Sequence, residues 1–181
     1  MSSLALNLAD LATGMPGLTP ARGSSLAEAA AVCLESNDHE SGVTATMTGD
    51  QPTECGLHWS VVTQQQRDTY ADMQEATEDG AAGVAILVAS QIMGLSVMER
   101  SFKGTGFDYW MGNPAQHDEN DELPFQNLTR LEVSGILQGD AVRIARRVKV
   151  KLDQVEPTDH VGPAIIVVVE FGGPVIHLEA K

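Results

Sequence analysis

Arg130-Leu-Glu-Val-Ser-Gly-Ile-Leu137, the amphipathic stretch from Ala141 to Val155, and the apolar run Ala164-Ile-Ile-Val-Val-Val-Glu-Phe171 follow one another near the end of the chain. In the first, Leu131 and Val133 alternate with Arg130, Glu132 and Ser134, the period of a strand with two unlike faces. In the second, Ala141, Ala145, Val148, Leu152 and Val155 recur at helical spacing, a stripe that Gly139-Asp140 opens and Pro157 ends. The third is unbroken between Gly162-Pro163 and Gly172-Gly173-Pro174, as in a strand buried on both faces inside a sheet.

Working outward, Val175 to Leu178 reads as an added edge strand. Upstream, Thr105 to Met111 reads as a strand entered through Gly104 and Gly106, and Gly112 to Pro124 as an acidic, proline-bounded loop. Before it, Gln64 to about Gln91 reads as one long helix capped by Thr63 or Asp68. Gly80 and Gly83 each weaken it by roughly 1 kcal/mol, which points to close packing against a sheet. Val43 to Thr48 and Leu57 to Thr63 read as a hairpin turning at Gly49-Asp50-Gln51-Pro52. Ser25, with Glu28 three residues on, reads as the cap of a helix burying Leu26, Ala29, Ala30, Cys33 and Leu34. Leu4 to Leu11 reads as a short helix. The expectation is therefore an α/β or α+β fold, a mixed central β-sheet flanked by helices, with residues 1–25 as an N-terminal arm and 26–181 as one domain.

Composition sets the bounds. The 181 residues are 43% apolar and 20% charged, the balance of a folded chain rather than a disordered one. No apolar run reaches the roughly 20 residues that span a bilayer. The start lacks a basic region and carries Asp10, so no secretory signal is read, and two cysteines make no disulfide framework; a cytoplasmic setting is expected. The net charge of −14 is unevenly spread. From Arg100 to Lys151, eight Lys and Arg meet seven Asp and Glu, a balance of +1; elsewhere three meet 18, a balance of −15. Any polyanion is thereby confined to one patch.

The chemistry concentrates in that window. On alternating strands Asp108 points away from Phe107 and Tyr109, while Glu132 shares a face with Arg130 and Ser134. If the two strands are neighbours, both carboxylates converge, and with the Val133 carbonyl they offer hard oxygen donors for Mg2+ or Mn2+. Such an ion activates water and stabilises charge on a phosphoryl oxygen. On the following helix Arg143, Arg146 and Arg147 form a basic face able to contact phosphates. The alternative reads Asp108 and Glu132 as solvent-facing strand residues, with Glu132 paired to Arg130 or to an arginine of the next helix. Cys33, His39, Cys55 and His58 also make a formal zinc set, although their spacing follows no finger pattern.

From Gln64 to Phe171, the order helix, strand with Asp108, strand with Glu132, helix, strand resembles the core of the PD-(D/E)xK phosphodiesterases, the restriction-endonuclease-like superfamily. The resemblance implies a divalent-metal-dependent phosphodiesterase acting on nucleic acid. Asp108 and Glu132 would hold the ion, and Glu75 or Glu78 would match the helical carboxylate some members add; Glu78 is the choice here. Ser134 stands where the superfamily's lysine is expected, and Lys103, before the Asp108 strand, is the candidate replacement. Without such a lysine the resemblance implies an inactive relative: an acidic interaction or accessory protein, such as a defence-system subunit or an immunity-type protein, that meets a basic protein partner.

Overall fold

In a computed structural model that describes residues 4–116 and 127–181, the chain runs β1 (Leu4–Asn7), α1 (Pro20–Glu35), β2 (Val43–Gly49), β3 (Thr53–His58), α2 (Gln64–Thr69), α3 (Met73–Met93), β4 (Ser96–Arg100), β5 (Tyr109–Gly112), β6 (Thr129–Ile136), α4 (Ala141–Val155), β7 (Ala164–Glu170) and β8 (Val175–Ala180). The described strands form one mixed eight-stranded sheet, ordered β1-β3-β2-β8-β7-β6-β5-β4. With helices on it, this is an α/β or α+β architecture.

The apolar run at β7 lies in the interior of the sheet, parallel to β6 and antiparallel to β8, and every residue of it is buried. One face carries Leu131, Val133, Ile165, Val167 and Val169 against α1 and α3, the larger core. The other carries Ala164, Ile166 and Val168 against Ile144, Val148 and Val155 of α4. The buried stripe of α4 therefore runs through Ile144, Val148 and Val155, with Leu152 half-buried. Ala141 and Ala145 are exposed, because the helix is rotated to turn its basic side toward β6.

Several expectations change where distant pairing decides. The residues read as an arm belong, from Leu4 on, to the sheet and core: β1 pairs with β3, and Leu6, Leu8, Leu11 and Leu18 are buried. Leu4–Asn7 is a strand rather than a helix, followed by a 3-10 turn over Leu8–Thr13. Helix α1 starts at Pro20 with Thr19 as its cap, earlier than Ser25, as proline at the first helical position favours. The long helix is two, α2 capped by Thr63 and α3 by Asp72. Gly80 and Gly83 pack against α1, not the sheet: a Cβ on Gly80 would lie 2.9 Å from the Ala30 backbone. The hairpin's second strand is Thr53–His58, which buries Cys55 and Leu57. β8 is interior, between β2 and β7, rather than an edge. The acidic loop falls largely on residues 117–126, outside the described residues.

Candidate functional site

β5 pairs with β6 only through Tyr109, Trp110 and Met111, opposite Leu131, Arg130 and Thr129. From Glu132 to Ile136, β6 stays paired with β7 on one side but has no strand on the other among the described residues. The strands part at Asp108, just before β5, and a cleft of about 760 Å³ opens along the free edge of β6. α3 forms one wall with Gln74, Glu78 and Asp79; α4 forms the other with Arg143, Arg147 and Lys151. α3 comes close because β6 is glycine at 135, where a Cβ would lie 2.4 Å from the Thr77 carbonyl oxygen.

Asp108 and Glu132 meet on the floor. Asp108 Oδ2 accepts from the Val133 N–H at 2.9 Å, and Oδ1 lies 4.0 Å from Arg100. In an extended strand a residue's N–H and C=O point to the same neighbour, so the Val133 carbonyl also faces this edge. Glu132 is 2% exposed. Its Oε1 accepts from Lys151 Nζ at 2.5 Å and from Gln154 Nε2 at 3.0 Å. Burial pushes its carboxyl up from 4.5 to about 7 and the Asp108 charge adds to the rise, while Lys151 pulls the other way. Glu132 thus takes up its proton near neutrality, the range in which acid–base groups work.

The other expected residues divide. Glu78 lines the cleft on α3, but no group of three His, Cys, Asp or Glu closes to metal-ligating range among the described residues. Arg143 and Arg147 line the opposite wall, and Arg147 donates to Ser134 Oγ at 2.7 Å. Arg146 turns away to solvent, because the wall follows the step of four from Arg143 through Arg147 to Lys151 and Arg146 lies one residue off that line. Lys103 is exposed in the β4–β5 loop and does not line the cleft. The lysine at the pair is Lys151, which continues the 143, 147 line by one more step of four. That helical spacing was the available signal for it, and Gln154 follows one step of three later. Arg100 was also missed; it lies 4.7 Å over the Tyr109 ring and donates to the Tyr109 hydroxyl at 2.9 Å.

The zinc set does not assemble. Cys33 and Cys55 are buried free thiols, both pushed up to about 11 by burial, and His39 bonds the carbonyls of Phe171 and Gly172. No helix among the described residues is long and apolar enough to cross a membrane. Comparison with family models, curated proteins and solved structures finds no match to this chain.

Proposed function

We propose that the chain is a divalent-metal-dependent phosphodiesterase of the PD-(D/E)xK type acting on nucleic acid, with its lysine supplied by α4. The observation that carries this reading is the meeting of Asp108, Glu132 and Lys151 on the cleft floor, where β5 and β6 part. The donor set suits one hard cation. Mg2+ keeps several waters and takes one or two protein carboxylates together with substrate phosphate. Asp108, Glu132 and the Val133 carbonyl provide that, so a third acid within ligating range is not required. A cation here would also relieve the repulsion from Asp108 that adds to the effect of burial in raising Glu132.

Bound there, Mg2+ or Mn2+ would supply Lewis acidity, making water a nucleophile near neutral pH and offsetting charge on the phosphoryl oxygens. The chain's own groups do the rest. Asp108 is oriented by the Val133 N–H. Lys151, held at the pair by Glu132 and Gln154, would position the attacking water. Arg143 and Arg147 line the wall along which phosphates would lie, and planar guanidinium forks bind phosphate in pairs of hydrogen bonds.

The test is Mn2+- or Mg2+-dependent cleavage of labelled oligonucleotides by the full chain. Asp108→Asn should abolish cleavage. Lys151→Met should slow it by about 10²–10³, the usual loss when one charge-stabilising donor is removed, and Lys151→Arg should restore part of it. Absence of cleavage would overturn the proposal, and absence of a metal-dependent shift in melting temperature would overturn its metal site. The −15 balance outside the window and Ser134 in place of lysine favour a second reading, an inactive accessory protein with a basic partner. That reading requires the same assays to be silent.

A further inference from the structure

We infer that the polymer taken by this cleft is single-stranded, with its backbone along α4 and a base stacked on Phe102; this rests on the phosphodiesterase reading. The walls differ in sign. α4 presents Arg143, Arg147 and Lys151 in a line of about 12 Å at 1.5 Å per residue. The facing wall of α3 presents exposed Glu78 and, beside it, Asp79, which Arg22 pairs. A duplex carries twice the phosphate density of one strand. With one strand on the arginine wall, its second would face acidic α3 or the acidic surface beyond. A single strand meets only the basic wall.

The basic line ends at the β4–β5 hairpin loop. Gln154, one turn past Lys151, bonds both Glu132 and the Gly106 carbonyl of that loop. Gly106 sits so close that a Cβ there would lie 2.6 Å from the Gln154 carbonyl oxygen, and its φ of +85° suits glycine. The loop is held in shape by Ser101 N–H to the Asp108 carbonyl at 2.9 Å, by Ser101 to Thr105 through their hydroxyls at 2.6 Å, and by the Thr105 hydroxyl donating to the Phe102 carbonyl at 2.9 Å. On this anchored loop Phe102 is 76% exposed, beside exposed Lys103. Phe107 and Trp110 from the same segment are instead buried, ring edge to face at 4.8 Å. A basic track ending at an anchored loop that carries a solvent-facing aromatic suits unpaired bases: phosphates on the track, a base on the ring. Lys103, expected to orient water, becomes a backbone contact outside the catalytic pair.

The test uses the full chain with Ca2+ in place of Mg2+, and anisotropy of three fluorescein-labelled 20-mers of one sequence: single-stranded DNA, single-stranded RNA and duplex DNA. At least one single strand should bind tenfold or more tighter than duplex. Phe102→Ala should weaken that binding by about tenfold, within the worth of one base–aromatic stack, and leave duplex binding unchanged. Phe102 is on the surface, so the variant should melt as the parent does. Duplex binding equal to or tighter than single-strand binding, no binding at all, or no effect of Phe102→Ala would each overturn the inference. Cleavage in Mn2+ of single strand and duplex at equal rates overturns it while leaving the phosphodiesterase reading intact. Phe102-dependent single-strand binding without cleavage in Mn2+ supports the binding surface and overturns the phosphodiesterase instead.

Discussion

Asp108→Asn should make the protein more stable above neutral pH while abolishing the proposed cleavage. Asp108 Oδ2 accepts the Val133 N–H at 2.9 Å. An asparagine oxygen can take the same bond, so the substitution removes a charge and little else. The charge matters through Glu132, raised from 4.5 to about 7 first by burial and then by Asp108. A carboxyl whose folded value lies above its unfolded one holds a proton that unfolding releases. Its contribution to stability is complete below 4.5 and is lost as pH rises through about 7. At about 1.4 kcal/mol per pH unit, the whole displacement amounts to about 3 kcal/mol.

Burial is the larger cause and survives the substitution, so removing the neighbouring charge should return about 1 kcal/mol at pH 8. At pH 5 Glu132 is neutral in the folded chain, there is no repulsion to relieve, and the variant should match the parent. Urea unfolding at the two pH values measures both, with unchanged m-values confirming that neither end state has altered. An equal change at pH 5 and pH 8, or a loss of stability at pH 8, would refute the coupling between the two carboxylates. Loss of the 4.0 Å approach to Arg100 subtracts little, since Arg100 is 58% exposed.

Arg130→Met should cost about 3–5 kcal/mol in thermal or urea unfolding, because it strips donors from the Val155 and Gly162 carbonyls, Thr158 and Asp159 at a site 1% exposed. Gly135→Ala should cost about 1–3 kcal/mol by pressing β6 against the Thr77 carbonyl, and should slow cleavage as α3 moves off the cleft. The double variant Glu132→Met with Lys151→Met should be as stable as the parent or more stable by about 1–4 kcal/mol, since an apolar pair of similar volume replaces a buried ion pair, while cleavage is absent.

Pattern made β2, β6, β7 and the core face of α1 legible: β2 alternates in sequence and in burial, β6 alternates apolar with polar residues, β7 is a continuous apolar run buried throughout, and α1 buries Leu26, Ala29, Ala30, Cys33 and Leu34. It failed where pairing comes from far along the chain. β4 is five residues at the sheet's end with a bulge between Val97 and Glu99, so it shows no clean alternation. β8 alternates Val, His and Glu as an edge strand would, yet β2 covers its other side. The helix break at Tyr70–Asp72 carries no glycine or proline and is marked by Asp72, which caps α3 by accepting from Gln74 and Glu75. At the site, strand alternation put Glu132 on one face with Arg130 and Ser134, but the strand expected over Thr105–Met111 begins only at Tyr109, so Asp108 reaches Val133 from the segment before β5. Alternation could not place Lys151, whose approach depends on how α4 is rotated over β6.

That rotation is fixed by polar contacts rather than by the apolar stripe. Ile144, Val148 and Val155 supply the burial, but burial is non-directional and tolerates sliding. The α4-facing side of β6 carries Arg130, Glu132 and Ser134 where apolar residues would pack as well, and each ties a different turn of α4. Ser134 takes Arg147, Glu132 takes Lys151 and Gln154, and Arg130 takes the Val155 carbonyl at the helix end. Going down the strand, the ties climb the helix and lock one register. The two outer ties leave ordinary satisfied groups. The middle one holds a carboxyl displaced to about 7, which costs stability at neutral pH. A scaffold needing only a register lock could have used a second serine or an apolar pair there. On the proposed reading, Glu132 beside Asp108 serves a cation, and the outer ties position Lys151 for that chemistry.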